Sequence, residues 1–487
     1  MSLPPPADTT AAPTEKNSAP ARYARLGSLS RAAALTLLIA APLAFGAVHR
    51  EAYPPFLGLA AFAGIASLVR AWWSRRDGMA VPSLPGRRLL LALNLLVLFQ
   101  VTPLPPLVVR FLSPTAFTYH GFVFGLPADA WRTLSVNPSL TRQGLLFLAA
   151  LSLFYGAVFR EFAAEHRSRR LAMVIVGVAS FMTLVGFVQK SSAHPGRIYG
   201  VWEPINSVNV FGPYPNRSYY AGYVVMAVPL VLCLAVESLL LTRRLWLRRA
   251  RGFTALGEPE ASATALRTTL ALFNVAGVLS AGSRTAVLAC AVSAFAVLAG
   301  FGRRILGAAT LVAAVALLGL ALVDIDWFLQ TVSRSRFESD RAIVWRDMAK
   351  MIPDFPVFGV GWNALGDAYQ WRYHTVHMWG RWDQAHNEYL EVLLVTGVCG
   401  SSIALGLLWL LFRSTLRAAS RSPFGIGLMG AVIANATTNL ADFNLQVPAN
   451  AATFVALAAM AMAYGQPSAS GRPAREAPVR GPSFSPS

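Results

Sequence analysis

The sequence predicts an all-α polytopic membrane protein with about twelve transmembrane helices and one long periplasmic loop before the tenth. Three observations carry that reading. Of its 487 residues, 55% are hydrophobic and only 13% charged, whereas soluble domains carry roughly 25% charged residues. Apolar runs of the length that crosses a bilayer recur along nearly the whole chain, and mean hydropathy is +0.48. The 42 Lys and Arg residues behind the net charge of +19 gather between those runs. In a soluble protein such a charge would suggest nucleic acid. Here topology accounts for it, and no nucleic-acid partner is expected. Cys233, Cys290 and Cys399 each lie in an apolar segment, with neither a Cys-x-x-Cys pair nor zinc-ligand spacing, so they read as small packing residues.

Residues 1–30 are rich in Pro, Ala, Thr and Ser and carry Lys16, Arg22 and Arg25, with Arg31 just after: a disordered basic leader. Ala32–Val48 resembles a signal-peptide core, but the long leader and the many following spans favour an uncleaved first helix. Spans are centred near Leu38, Phe62, Leu96, Ala150, Val178, Val228, Ala276, Ser293, Ala314, Ile403, Ile433 and Leu457. Nine of them fall in 31–323 and three in 387–464, with 324–386 as the long loop and 465–487 as a Pro/Ser/Gly-rich disordered tail. With the leader placed inside, 26 basic residues fall on the cytoplasmic side and 15 opposite, seven of those in the long loop; Arg70 lies within a span. That asymmetry puts both ends in the cytoplasm and the long loop, with His386, on the outer side of a multi-pass membrane protein.

Among the outer intervals, Arg110–Arg142 ends in a turn and a helix cap at Val136-Asn137-Pro138. Gln189–Arg217 ends in Phe211-Gly212-Pro213-Tyr214-Pro215-Asn216-Arg217-Ser218-Tyr219-Tyr220. This aromatic, Gly/Pro-dense stretch suits either contact with sugar or headgroup, or an ordinary aromatic belt. The cytoplasmic loop Arg243–Arg267 reads as a basic segment against anionic lipid. Leu279–Ala286 is a minimal outer turn that holds Arg284 at the membrane surface, where a guanidinium either snorkels or meets a phosphate, the partner its planar fork suits. Near the last span, Asp442 with Asn439, Asn444 and Asn450 either hydrogen-bonds sugar hydroxyls or satisfies itself internally.

The long loop is the chain's main polar interval. Ile343, Val344, Met348 and Met351-Ile352 recur at helical spacing, predicting an amphipathic helix capped by Asp340 with Arg341 in its first turn. Gly359-Val360-Gly361-Trp362-Asn363 follows; with no strand before it, its Gly-x-Gly is a weak phosphate motif. Asp324-Ile325-Asp326 and His374/His377 lack the companions of a convincing ligand set, so no metal and no cofactor is expected. Ala385-His386-Asn387-Glu388-Tyr389-Leu390 then leads into a span. A titratable group at such a position either serves function or, with Asn387, caps the helix.

Together these stretches resemble the O-antigen ligase and O-antigen polymerase superfamily of bacterial envelope glycosyltransferases. The resemblance rests on Gly282-Ser283-Arg284-Thr285-Ala286, the Arg341–Trp345 helix, Phe358–Asn363 and Ala385–Leu390 running to Gly397 and Gly400. Phe211–Tyr220 and Asp442–Asn450 also take part, so it covers about 200 to 450. It implies a twelve-span, GT-C-like enzyme that uses an undecaprenyl-diphosphate-linked glycan, with Arg284 and Arg341 on the diphosphate and His386 as the essential histidine. Arg217, Asn387 and Asp442 are the accompanying candidates for binding substrate. Relatives often carry a histidine shortly before the Asp-Phe-Asn segment, where this chain has Thr438 and Asn439.

The chemistry is coherent, because a glycan diphosphate carries its own leaving group: arginines stabilise the developing charge and an imidazole aids the attacking hydroxyl. A ligase reading takes lipid A-core or a similar acceptor; a polymerase reading joins lipid-linked repeats, with a chain-length regulator as partner. A twelve-span transporter is the alternative of another class. It requires matching Gly/Pro-broken spans in its two halves, which the sequence does not show.

Overall fold

The computed structural model describes residues 18–204, 210–249, 259–302, 336–375 and 381–466. Asp324-Ile325-Asp326, His377, the ninth expected span near Ala314 and the middle of the Arg243–Arg267 loop lie outside them. The described chain is all-α: α1 (Ser18–Leu43), α2 (Tyr53–Arg76), α3 (Arg87–Val101), α4 (Pro106–Leu112), α5 (Pro114–Phe124), α6 (Pro138–Glu161), α7 (Glu165–Lys190), α8 (Arg217–Arg249), α9 (Pro259–Ala281), α10 (Arg284–Gly300), α11 (Arg336–Ala349), α12 (Leu365–Arg372), α13 (Glu388–Arg421), α14 (Pro423–Thr438) and α15 (Pro448–Gly465). Seven of these (α1, α2, α6, α7, α8, α9 and α13) are long and apolar enough to cross a membrane, and α10 and α14 are shorter apolar helices. Helices occupy eleven of the twelve expected span centres.

Local chemistry sets the helix starts. Asn137, Asn387 and Ser422 cap α6, α13 and α14 by accepting backbone N–H groups, and proline sits in the first turn of α2, α6, α14 and α15. Gly282, at φ +67°, closes the two-residue turn between α9 and α10. The centre of the bundle is α8, whose residues from Tyr220 to Val231 are almost wholly buried. A helix apolar on every side belongs inside the bundle, and α7, α9, α10, α14 and α15 pack around this one.

A second core lies outside the bundle. Ala116, Tyr119 and Val136 from the segment between α3 and α6 pack with Val344, Met348, Met351, Leu365, Ala368 and Tyr369. The cap is therefore built from two loops, not one. The amphipathic helix α11 is present, but it is already under way at Arg336, so Asp340 lies within it and does not cap it.

The cap is seated on a break in α13. Gly397 (φ +61°, ψ −164°) interrupts the helix, and a Cβ there would sit 2.4 Å from the Val357 carbonyl carbon. The backbone groups freed by the break are taken up by the cap. Val398 N and Cys399 N donate to Pro356 O and Val357 O, while Leu394 O and Val395 O accept from Val360 N and Gly361 N. Gln100 of α3 locks the same junction, donating to Phe358 O (2.6 Å) and Val395 O (2.8 Å) and accepting from Trp362 N (3.2 Å). The Gly-x-Gly turn thus serves as a docking strand against a broken helix, and its backbone is occupied by protein.

Candidate active site

The residues singled out in the sequence collect at one end of the bundle, the end that carries the cap. His386 immediately precedes α13. Its backbone is left-handed (φ +51°), which is unusual for a residue with a Cβ and persists only where the surroundings impose it. Three contacts impose it. Trp345 Nε1 donates to Ala385 O (2.7 Å), Ala385 N donates to the Glu391 carboxylate (2.9 Å), and Asn387 Oδ1 accepts from Tyr389 N (3.1 Å) and Leu390 N (3.0 Å).

The imidazole is clamped edge-to-face between Trp382 (5.2 Å) and Phe443 (4.6 Å). Its Nδ1 is buried without a hydrogen-bond partner. Burial first, and the nearby positive charge of Arg341 second, lower its pKa to about 4. The ring is therefore neutral at ordinary pH and has acceptor capacity to offer.

Arg341 enters from α11 and donates to Ala441 O (2.7 Å). Next to that carbonyl is Asp442, 6% exposed, whose Oδ1 accepts from Phe443 N (2.9 Å). Burial raises the Asp442 pKa, opposed by that N–H and by Arg341. The structure thus brings His386, Arg341 and Asp442 into one cluster. Asn387 sits beside it, but its oxygen is committed to the helix cap, which leaves only its amide nitrogen to meet a ligand.

Arg284 and Arg217 form a second group at the same end. Arg284 opens α10 behind Ser283, and Arg217 opens α8. Arg217 reaches the Gly282 turn, its guanidinium 3.4 Å from where a Gly282 Cβ would lie. Lys190, the last residue of α7, donates to Ser280 O (3.4 Å) in the same turn. A cleft of about 170 Å³, lined by Lys190, Arg217, Phe211 and Ser280 among others, opens between these helix ends. Tyr219 links the two groups, because it follows Arg217 on α8 and packs edge-to-face on Phe443 (5.4 Å).

Several neighbours turn out to be structural. Tyr220 is buried and paired with Thr183 (2.7 Å), not part of an aromatic belt. Asn435, Asn444 and Asn450 bond one another and the backbone of α8, so those near the last span satisfy themselves internally. Sequence reasoning missed Lys190 and Glu391. Lys190 could have been found as a basic residue at the end of a span that the charge bias predicts to be outer. Glu391 could have been found as a carboxylate in the first turn of an apolar helix, behind His386.

No curated protein matches the chain. Residues 269–405, the stretch that carries Arg284, Arg341 and His386, match the family model for O-antigen ligase, which supports the resemblance to the O-antigen ligase and polymerase superfamily.

Proposed function

We propose that this enzyme transfers a glycan from an undecaprenyl-diphosphate donor to an acceptor hydroxyl, lipid A-core or similar, at the periplasmic face of the inner membrane. The observation that carries the reading is His386: a buried, neutral imidazole with an unpaired ring nitrogen, held in a left-handed backbone conformation near the Arg341 guanidinium. In the step itself, the acceptor oxygen forms a bond to the anomeric carbon as the bond to the diphosphate breaks. The electron pair leaves on the diphosphate, and the acceptor proton passes to His386. One direct displacement inverts the anomeric configuration. Arg284, with Arg217 and Lys190 at the cleft, holds the diphosphate where its charge grows, and Arg341 and Asp442 lie on the side where donor and acceptor meet. Donor binding adds negative charge near the ring and so offsets the repulsion from Arg341. The imidazole becomes a stronger base once the donor is in place.

The ligase reading is favoured over the polymerase reading by one dominant cap placed directly before His386. The test uses the purified protein in liposomes with a lipid-diphosphate glycan and lipid A-core. Transfer to the core with release of undecaprenyl diphosphate supports the ligase; growth of lipid-linked chains without core modification supports the polymerase. Uptake of the glycan with no transfer overturns both and leaves a transporter. Orientation is checked separately. A cysteine replacing Asp383 should react with an impermeant thiol reagent on intact spheroplasts, whereas one replacing Ser420 should not.

A further inference from the structure

The segment between α3 and α6 was expected to be a plain connection, yet its surface is not that of a loop in water. Leu107 (78% exposed), Phe111 (84%) and Phe122 (78%) point outward, with Val108, Val123, Phe124 and Trp131. Arg110 and Asp129 are the only charged residues exposed between Thr102 and Trp131. A continuous apolar face of this kind needs a partner.

The hairpin that bears it is rigid, so the exposure is built in. The buried Arg132 guanidinium donates to Phe117 O (2.8 Å), Leu126 O (3.3 Å) and Pro127 O, tying α5 to the stretch after it, and the Arg132 backbone exchanges bonds with Leu104 (2.9 and 3.2 Å) just before α4. His120 meets Ser135 O at 3.0 Å behind it. On its inner side Tyr119 packs on Trp371 (5.1 Å) and enters the cap core.

The position of the hairpin names the partner. α3 has only 15 residues, about 22 Å of helix against a hydrocarbon core of roughly 30 Å. Asn94 of α3 bonds Ser152 of α6 (3.0 Å), so in this antiparallel pair the end of α3 lies level with residues near Leu145, well inside the start of α6. The hairpin therefore begins at a depth where α6 is still passing its apolar Leu145 and Leu146, and it lies beside Arg142 and Gln143, which mark the polar boundary. Its apolar face continues the lipid-facing surface of Leu91, Leu95 and Leu98 on α3 and Leu146 on α6.

We infer that α4 and α5 lie in the plane of the bilayer surface, with Leu107, Phe111, Phe122 and Phe124 inserted among the lipid chains of the leaflet on the cap side. Helices with an apolar face and few charges bind membranes in this way, buried about 5–10 Å into the headgroup boundary. The anchor also holds the cap, through Tyr119 and Trp371, at a defined height over the leaflet from which a lipid-linked substrate must come.

The test places single cysteines at Phe111, at Phe122 and, as an aqueous control, at Glu203, in the full chain with Cys233, Cys290 and Cys399 replaced by alanine. Each is labelled with an environment-sensitive fluorophore in phosphatidylcholine–phosphatidylglycerol liposomes. Spin-labelled lipids should quench the labels at 111 and 122 at least threefold more than aqueous iodide does, with the reverse at 203. Quenching of 111 and 122 by iodide rather than lipid overturns the inference. Labels open to iodide in liposomes yet shielded in native membranes would put another protein on this face, and that also overturns it. Circular dichroism and retention of glycan transfer by the labelled variants separate these outcomes from misfolding.

Discussion

The two ends of the bundle each bury carboxylates, and they treat them in opposite ways. At the end away from the cap, Glu161 is almost fully buried and takes Arg31 (3.3 Å), Arg70 (2.5 Å) and the Ser67 hydroxyl (3.4 Å). Nearby, Arg169 holds Glu237 in a bidentate pair. Here charge answers charge, and the product is a tie between helices. At the cap end, Glu388 and Glu391 are just as hidden but accept only from neutral donors: Leu445 N, Ala385 N and the Gln446 amide. Among the described residues no cation lies within ion-pair distance of either, although Arg341 is in the neighbourhood. Likewise no described carboxylate pairs with Lys190, Arg217 or Arg341. The difference is local to the His386 cluster and the Gly282 turn: there the buried acids fix backbone and Arg341 and Lys190 are held by main-chain oxygens, whereas elsewhere in the cap Lys350, Arg372 and Arg381 pair with Asp347, Asp354 and Asp367. A cation held by a main-chain oxygen can still meet a diphosphate, whereas a salt bridge formed in the resting state would compete with such a ligand.

The largest effect should come from the residue this arrangement serves. His386→Ala is expected to lower single-turnover transfer by roughly 10²- to 10⁴-fold while leaving binding of a lipid-diphosphate analogue close to normal. Arg284→Lys should be nearly as damaging as Arg284→Ala, and should weaken analogue binding, since it keeps the charge but loses the fork. Loss of donor binding in His386→Ala with retention in both arginine variants would reverse the roles assigned to the two groups.

The next effect contrasts the two kinds of carboxylate. Glu391→Gln leaves one oxygen and one NH₂ to face two donors, Ala385 N and the Gln446 amide, so one of them loses its acceptor. Transfer should fall about tenfold through the displaced Ala385–His386 backbone, at a stability cost of about 1–3 kcal/mol for the unsatisfied group. Glu391→Gln combined with Gln446→Glu restores the pairing and should recover most of the rate. Glu161→Gln should do the opposite: a fall in thermal stability of about 2 kcal/mol, discounted because Arg31 and Arg70 are partly exposed, with specific activity unchanged. Equal losses of activity at Glu161 and Glu391 would erase the distinction between the two ends.

How much of this was legible follows the range of the interactions. Span positions, the Asn137 and Asn387 caps and the amphipathic α11 are local, written in periodicity and in single capping residues, and the chain shows them directly. Grouping His386 with Arg341 came from resemblance and not from spacing, since 45 residues separate them. The junction at Gly397 was not legible. It depends on Gln100 meeting carbonyls 258 and 295 residues away and on Val357 filling the space a side chain would need. A glycine in an apolar helix gives no sign of whether it breaks the helix or only lets a neighbour approach. The hairpin of α4 and α5 was missed for a related reason. Helices of seven and eleven residues fall below any spanning length, and their apolar faces gain meaning only once the short α3 places them at the bilayer surface.

A smaller effect lies in the pH dependence. His386 must be neutral to accept a proton, and its pKa is lowered to about 4 in the resting enzyme. Transfer at low donor concentration should therefore hold from pH 8 to near 5 and fall only as pH drops through about 4. At saturating donor the inflection should move upward, because the bound diphosphate favours the protonated ring. Arg341→Ala removes the repulsion but not the burial, so its low-donor inflection should rise toward the ordinary 6.5 without reaching it. An inflection unmoved by Arg341→Ala would mean that the two residues do not sense each other during turnover.

The smallest expected effect is none, and it bears on where the outer charge comes from. If Arg284, Arg217 and Lys190 supply the charge that stabilises the leaving diphosphate, chelation should leave transfer within about twofold of the untreated rate, since arginine and lysine clamps can fill that role without a metal. A divalent cation bridging the diphosphate would act by a different route, as a Lewis acid whose charge arrives with the substrate. The two routes also differ in their response to mutation. Under the first, Arg284→Ala is not rescued by added magnesium or manganese; under the second, raised cation concentration recovers part of the lost rate. The measurement is transfer by the purified enzyme in liposomes after exhaustive chelation, followed by stepwise return of each cation, for the native chain and for Arg284→Ala. Loss on chelation with recovery on return would show that the cap end, like the end built on Glu161, works by neutralising charge with a dedicated partner, and the contrast between the two ends would then lie in when that partner binds.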